Sequence, residues 1–341
     1  MPSNNEEEEY EYYCVDCDEG LNDDYAYYSE YDGEYRCRQC NNAHEEERNS
    51  GDILEYGMKF DPYFGHDDGE RSYYVRYAEN ESGLGTLRTT PLYMGYELEC
   101  ECVEGDRDEG AAFVLRTINR GADASRGLVY LKEDGSLDHG FEIVSHPATL
   151  GFYMNHFPWD GVAGLRRMGF NAWKSRTCGL HIHLSRSAFT DDKHLTLFIK
   201  FLYDNRTELV QFAGRNSERY ASWDKLKFTN GYNDWNTDAV VAESLPKFIK
   251  GGNRNNDRFT AVNLRNRDTV ELRFFRPSLR PETVQAALMM CDAIHRYTNV
   301  LTIPDLTMRN ALSYRSFRSW LDTQGDKYQL LAGRIDARND I

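Results

Sequence analysis

Three short segments of this chain set ionisable side chains two residues apart between apolar neighbours: Glu97, Glu99 and Glu101; His181 and His183; Glu271 and Arg273. In an extended strand successive side chains point to opposite faces, so each pair or trio projects together while Tyr96, Leu98, Ile182, Leu184, Val270, Leu272 and Phe274 face the other way. A chain that writes this pattern three times is constrained to a sheet with one apolar face and one face crowded with carboxylates, imidazoles and a guanidinium.

Such a face needs compensation, because two carboxylates about 4 Å apart at an effective dielectric near 20 repel by roughly 4 kcal/mol. A divalent cation removes the conflict. Carboxylate oxygens with an imidazole nitrogen suit Mg²⁺ or Mn²⁺ beside a phosphate-bearing substrate, whereas Zn²⁺ more often recruits several histidines or thiolates. Arginines then fit as partners for phosphate oxygens.

The chain has 341 residues, enough for one large domain with an appendage, and a formal net charge of −16. That charge argues against nonspecific nucleic-acid binding, which relies on clustered Lys and Arg. No stretch has the continuous apolar length of a membrane span, and the acidic amino terminus is unlike a secretory signal. A soluble, cytoplasmic protein with no membrane partner is expected, and Cys100, Cys102, Cys178 and Cys291 should be reduced thiols.

Residues 1–52 are dominated by Glu, Asp, Tyr and Asn, with few aliphatic side chains to build a core. Cys14-x-x-Cys17 and Cys37-x-x-Cys40, with 19 residues between the pairs, have the spacing of a four-thiolate zinc site. For so small a module, zinc binding worth about 10–16 kcal/mol would supply most of the folding energy. A zinc ribbon and linker are therefore expected over 1–52, ahead of a catalytic domain over 53–341. The acidity of the ribbon suits a protein or substrate contact better than DNA, and the tyrosines between Tyr10 and Tyr35 read as packing around the metal.

In the larger part, Leu92–Val103 alternates as a strand, Asp106–Gly110 has loop composition and Ala111–Asn119 reads as a helix or buried element. Leu128–Lys132 and Gly140–Ser145 make a hairpin around Asp134-Gly135, with Glu142 at its centre. Cys178–Ser185 is another strand, and Thr190 is expected to cap a helix with the apolar stripe Leu195, Phe198, Ile199 and Leu202. Phe259–Leu264 and Thr269–Phe275 read as a hairpin turning at Asn266–Asp268, and Thr283–Tyr297 as a helix behind Pro281. Asn155–Arg176 and Ser217–Asn253 read as loops. Hairpins separated by helices describe an α+β fold with a mainly antiparallel sheet flanked by helices. There is no Gly-rich phosphate loop.

The motifs Gly95-Tyr96-Glu97-Leu98-Glu99, Asp134-Gly135-Ser136-Leu137, Glu142 ahead of Ser145-His146-Pro147, Cys178-Gly179-Leu180-His181-Ile182-His183 and Thr269-Val270-Glu271-Leu272-Arg273 occur in an order that resembles the amidoligases. These are similar to carboxylate-amine ligases of the glutamine synthetase and glutamate-cysteine ligase superfamily. The resemblance spans roughly residues 92–300. It implies a glutamine-synthetase-like catalytic sheet holding ATP and Mg²⁺ or Mn²⁺, with ATP phosphorylating a carboxylate substrate and an amine displacing the phosphate from that acyl phosphate. By position it implies that Glu97, Glu271 and His181 hold the metal on the ATP phosphates and that Glu99 and Glu142 hold the substrate-side metal. It also implies that His183 lies near the phosphates, that Arg273 neutralises the moving phosphoryl group, that Arg258 and Arg265 contact phosphate or carboxylate, and that Asp134 orients the amine or supports the metal shell. The amino-terminal module is unlike that of glutamine synthetase, so neither its substrates nor its ring assembly carry over.

Glu101 reads as a solvated strand end, because Glu104, Asp106 and Asp108 continue its acidity into a loop. Arg215, Arg276 and Arg280 read first as surface arginines. Two rivals share the same residues: a metal-dependent hydrolase on the Glu/His face, and a catalytically degenerate module that binds a protein partner through the ribbon.

Overall fold

The computed structural model describes residues 11–22, 25–28, 34–42, 52–67, 75–79, 85–89, 91–175, 177–217, 219–223, 260–308 and 310–339. Its centre is one large mixed sheet flanked by helices. The strands are β1 (Ile53–Leu54), β2 (Met94–Cys102), β3 (Val129–Lys132), β4 (Gly140–Ser145), β5 (Phe170–Asn171), β6 (Leu180–Ser185), β7 (Val262–Asn263) and β8 (Thr269–Phe275). Their spatial order is β7-β8-β6-β2-β4-β3-β1, with β5 paired to the far end of β2. Neighbours run antiparallel, apart from β1, which adds to β3 in parallel.

The apolar half of each alternating segment dictates which way the strands face. Tyr96, Leu98, Ile182, Leu184, Val270, Leu272 and Phe274 are all buried in one core. Each such side chain contributes roughly 1.5–3 kcal/mol of burial free energy. Helix α1 (Arg107–Asn119) lies beside the β3 and β4 end of this core, while α2 (Asp192–Asp204) and α3 (Pro281–Val300) pack against each other, with α3 also against β6. The stripe Leu195, Phe198, Ile199 and Leu202 of α2 is buried as its spacing predicts. Pro281 stands in the first turn of α3, where its missing N–H costs nothing.

Several local expectations are corrected. Asp106–Gly110 is not a loop, since α1 starts at Arg107 and the Asp106 carboxylate caps it, accepting from the N–H groups of Asp108 and Glu109 at 2.9 Å. Asp191, rather than Thr190, caps α2, accepting from His194 N at 2.7 Å. Asn155–Arg176 is largely ordered into a short helix at Asp160–Gly164, a 3₁₀ turn at Leu165–Met168 and β5. What stops that turn is Gly169, whose φ of +83° places it in the left-handed region. A Cβ there would lie 2.1 Å from the Glu104 carbonyl oxygen, so only glycine allows the close approach. The strand expected over Phe259–Leu264 pairs with β8 at Val262–Asn263, and Thr260 adds an isolated bridge to Ser222. Phe259 and most of Ser217–Asn253 lie outside the described residues.

In the amino-terminal module Tyr12–Tyr13 pairs with Gly20–Leu21, and Tyr27–Tyr28 with Tyr35–Arg36. The rings of Tyr12 and Tyr35 stack at 4.0 Å. Its buried centre is Cys14, Leu21 and Cys37, far too little apolar surface to fold a chain unaided.

Candidate functional site

Strand register assembles the polar face. His181 on β6 sits opposite Glu97 on β2, His183 opposite Glu271 on β8, and Glu142 on β4 opposite Glu99 on β2. Four strands far apart in sequence thus deliver side chains to one patch. His181 Nδ1 lies 3.0 Å from one Glu97 oxygen, and His183 Nε2 lies 3.2 Å from the other. Glu271 bonds the Arg273 guanidinium and accepts from Asn263 Nδ2 at 2.7 Å and Asn266 Nδ2 at 3.2 Å. Its other oxygen is 3.8 Å from His181 Nδ1.

Among the described residues two candidate ligand sets converge here, each with donor atoms within 4.8 Å of one another: Glu97, Glu142 and His181, and Glu97, His183 and Glu271. Glu97 belongs to both. This grouping differs from the one the resemblance implies, in which His181 joins Glu97 and Glu271 while Glu99 joins Glu142. In the structure the pairing of His183 with Glu271 across β6 and β8 brings His183 to that set, while His181 Nδ1 stays within 3.8 Å of Glu271 and His181 also falls within reach of Glu142. Glu99 lies outside both sets: it accepts from Gly179 N at 2.5 Å and stands 3.9 Å from His181 Nε2. Two carboxylates and one imidazole per set are mostly hard oxygen donors, which fits Mg²⁺ or Mn²⁺.

The electrostatics are those of carboxylates and imidazoles crowded into one buried patch. Burial by itself would raise the Glu97 carboxyl, but His183 and His181 outweigh it and hold it well below the usual carboxylate range. Burial also opposes ionisation of Glu271, which His183 and Arg273 nevertheless pull below its ordinary value. Across the patch, burial reinforced by the Glu97 charge pushes Glu142 well above the usual range, although Lys132 Nζ is 3.0 Å away. Burial likewise raises Glu99, with His181 offsetting part of it. His183 keeps its proton longer than a free imidazole, because Glu97 and Glu271 overcome the desolvation that favours its neutral form. A cation held by Glu97, Glu142 and His181 would compete with the Glu142 proton, and one held by Glu97, His183 and Glu271 with the His183 proton, coupling metal uptake to proton release.

A cavity of about 550 Å³ opens over this face. It is lined by Glu97, Glu99, Glu142, His181, Arg273 and Asp134, as the sequence patterns suggest, and also by Lys132, Arg215, Tyr56 and Tyr220. Arg215 is therefore not a surface arginine; it enters from the loop that follows the helix Arg206–Ala213. Nothing in the sequence singles out Arg215 or Tyr220, since loop closure brings them in. Lys132 was legible in principle, being two residues from Tyr130 on a strand whose partner carries Glu142. Asp134 spends one oxygen on Ser136 N at 2.8 Å, an Asx turn at the cavity edge.

The remaining candidates fall elsewhere. Arg265 is exposed and does not line the cavity, and Arg258 lies outside the described residues. The Glu101 carboxylate pins the turn before β4, accepting from Asp138 N at 3.0 Å and His139 N at 2.9 Å. A second, apolar cavity of about 210 Å³ shares Glu97 with the first and reaches His183. Phe60, Phe64, Tyr93, Tyr130 and Pro147 are among its walls.

In the amino-terminal module the four sulfurs of Cys14, Cys17, Cys37 and Cys40 gather within 4.8 Å of one another. None is in a disulfide. Burial works against a Cys14 thiolate, but backbone N–H donors from Cys37, Asp16 and Cys17 bring it down to about 7. Asp18, at φ +58°, turns the first knuckle so that its N–H reaches the Cys14 carbonyl at 2.9 Å. Crowding by Cys17 and Cys37 raises the Cys40 thiol, a conflict that a bound cation relieves.

Protein-family models and curated proteins were both searched with this chain, and none matches. Among the described residues no helix is long and apolar enough to cross a membrane.

Proposed function

We propose that this protein is an ATP- and Mg²⁺-dependent carboxylate-amine ligase of the amidoligase type, with a glutamine-synthetase-like catalytic sheet and a structural zinc in its amino-terminal module. The observation that carries the reading is the pair of ligand sets sharing Glu97 between two unlike cavities. The larger is charged and offers Arg215, Arg273 and Lys132 to substrate oxygens; the smaller is aromatic-walled and suits a flat nucleobase. Phosphates of a nucleotide spanning the two would lie over Glu97.

Glu97, His183 and Glu271 would hold one cation, and Glu97, Glu142 and His181 the other; when bound, these ions supply charge neutralisation on the phosphate oxygens. The chain's own residues do the rest. Arg273, fixed by Glu271, presents a guanidinium to oxygen atoms that gain charge as the phosphoryl group moves. Lys132 and Arg215 orient the substrate carboxylate, since both line the cavity without belonging to either ligand set. Glu99 and Asp134 are the carboxylates left to take a proton from the incoming amine, and Glu99 is suited to it because burial has raised its proton affinity.

The test is ADP release from ATP and Mg²⁺ with pooled carboxylates and amines, run beside Glu271→Gln. Release that needs both substrates and vanishes in the variant is expected. Near-normal ligation by Glu271→Gln would refute the assignment, and cleavage of an amide or phosphoester without ATP would establish the hydrolase instead.

A further inference from the structure

A third cavity, of about 570 Å³, shares no lining residue with the Glu/His cleft. It lies between the loop after β5 and the start of α3, and is bounded by Arg166, Lys174, Arg280, Arg334, Arg338 and Trp173. In a chain of 56 acidic and 40 basic residues, five cations and, among the described residues, no Asp or Glu line this one hollow. Among the described residues none of the five is ion-paired to a carboxylate.

The arrangement is held in place by ordered parts of the fold. Trp173 is fixed by Arg276, whose guanidinium lies 3.9 Å from the ring centre and donates to the Trp173 carbonyl at 2.9 Å. Arg338 approaches the same ring at 5.9 Å, and Arg334 donates to Thr283 Oγ1 at 3.3 Å. Burial, and after it the charge of Arg338, depresses both Arg276 and Arg334, so the guanidinium groups feel one another. Bringing this many cations together costs free energy that an anion would recover, and guanidinium forks match the paired oxygens of phosphate and carboxylate. The N-terminus of the 20-residue helix α3 adds positive potential at the same wall.

We propose that this cavity is a binding site for a compact polyanion, a small molecule carrying two or more phosphate or carboxylate groups. Its volume is that of a small-molecule site, and its concavity favours a compact ligand over an extended chain. The site is independent of the ligase reading, since it uses none of the residues of the Glu/His cleft.

The test is calorimetric titration of the full chain with pyrophosphate and, separately, citrate, without added divalent cation. One saturable site is expected, with the preferred probe telling phosphate from carboxylate recognition. Arg280→Gln/Arg338→Gln should weaken binding at least about ten-fold, as expected for two lost charged hydrogen bonds, whereas Arg273→Gln in the other cleft should leave it within a factor of about three. Tryptophan emission should respond to the probe in the wild type and not in Trp173→Phe, a readout that stands even if the double variant does not fold. Wild-type affinity in the double variant, an unchanged emission response in Trp173→Phe, or no saturable binding of either probe would each overturn the proposal. Tighter binding of a hexaglutamate peptide than of both probes would overturn it in favour of a polypeptide partner.

Discussion

Because Glu97 belongs to both ligand sets, three single substitutions have distinguishable consequences. Glu97→Gln keeps shape and removes one negative charge from each set. A divalent cation and a carboxylate with charge centres about 4 Å apart attract by roughly 8 kcal/mol at an effective dielectric of 20, most of it offset by dehydration. If a third survives as net binding, each set loses about 2–3 kcal/mol, or roughly 30- to 150-fold in affinity. Glu142→Gln should weaken only the site with His181, and Glu271→Gln only the site with His183. The assay is Mn²⁺ titration of the full chain followed by the paramagnetic resonance of free Mn²⁺, which counts sites directly. The wild type should bind two ions, Glu97→Gln neither in the same range, and each of the others one. If Glu142→Gln and Glu271→Gln abolished the same ion, or if Glu97→Gln lost only one, the two sets would not be the separate, overlapping sites that the geometry describes.

Three further outcomes follow from the same structure. Cys14→Ser should lose the one zinc per chain that elemental analysis of the wild type is expected to find; zinc-free wild type would refute the four-thiolate site. Burial, partly offset by the hydrogen bond to the His295 carbonyl, lowers His194 to about 4. Between there and the ordinary value near 6.5 the unfolded chain binds more protons, so stability is full above about pH 6.5 and falls as the pH drops. Denaturant unfolding at pH 7 and 4.5 should show about 2–3 kcal/mol of loss that is absent from His194→Gln; equal losses in both would count against it. Gly169→Ala should cost at least about 2 kcal/mol, from the left-handed backbone and the clash at Glu104, and a melt within error of the wild type would show that the turn relaxes.

The alternating segments were legible because their period is local. Glu97, His181 and Glu271 could be placed on one polar face from spacing alone, since the apolar residues between them have only one way to be buried. Which imidazole meets which carboxylate was not legible. It depends on the registers of β6 against both β2 and β8, the second of which shifts between Leu180 and Ile182, and no side chain announces that irregularity. Arg215 and Tyr220 were missed for a related reason: they reach the cavity through the path of a loop, which the sequence does not encode periodically. The short helix and β5 within Asn155–Arg176 escaped notice because their pieces are shorter than a full period of either pattern.

The residues of the polar face are placed by residues that never touch it. Leu98, Ile182 and Leu272 occupy the buried side of β2, β6 and β8, and a slip of one residue in any of these strands would turn its apolar set toward solvent and its Glu or His into the core. Burial of an unpaired carboxylate costs several kcal/mol, on top of the lost apolar contacts, so the wrong register is excluded from both sides. The same alternation therefore fixes the register and aligns the ligand sets. Mutual repulsion among Glu97, Glu99, Glu142 and Glu271 is tolerated because the hydrophobic side over-determines where each strand lies. A cation bound at this face would find its ligands already held in position, so that its binding energy goes into affinity rather than into ordering the strands.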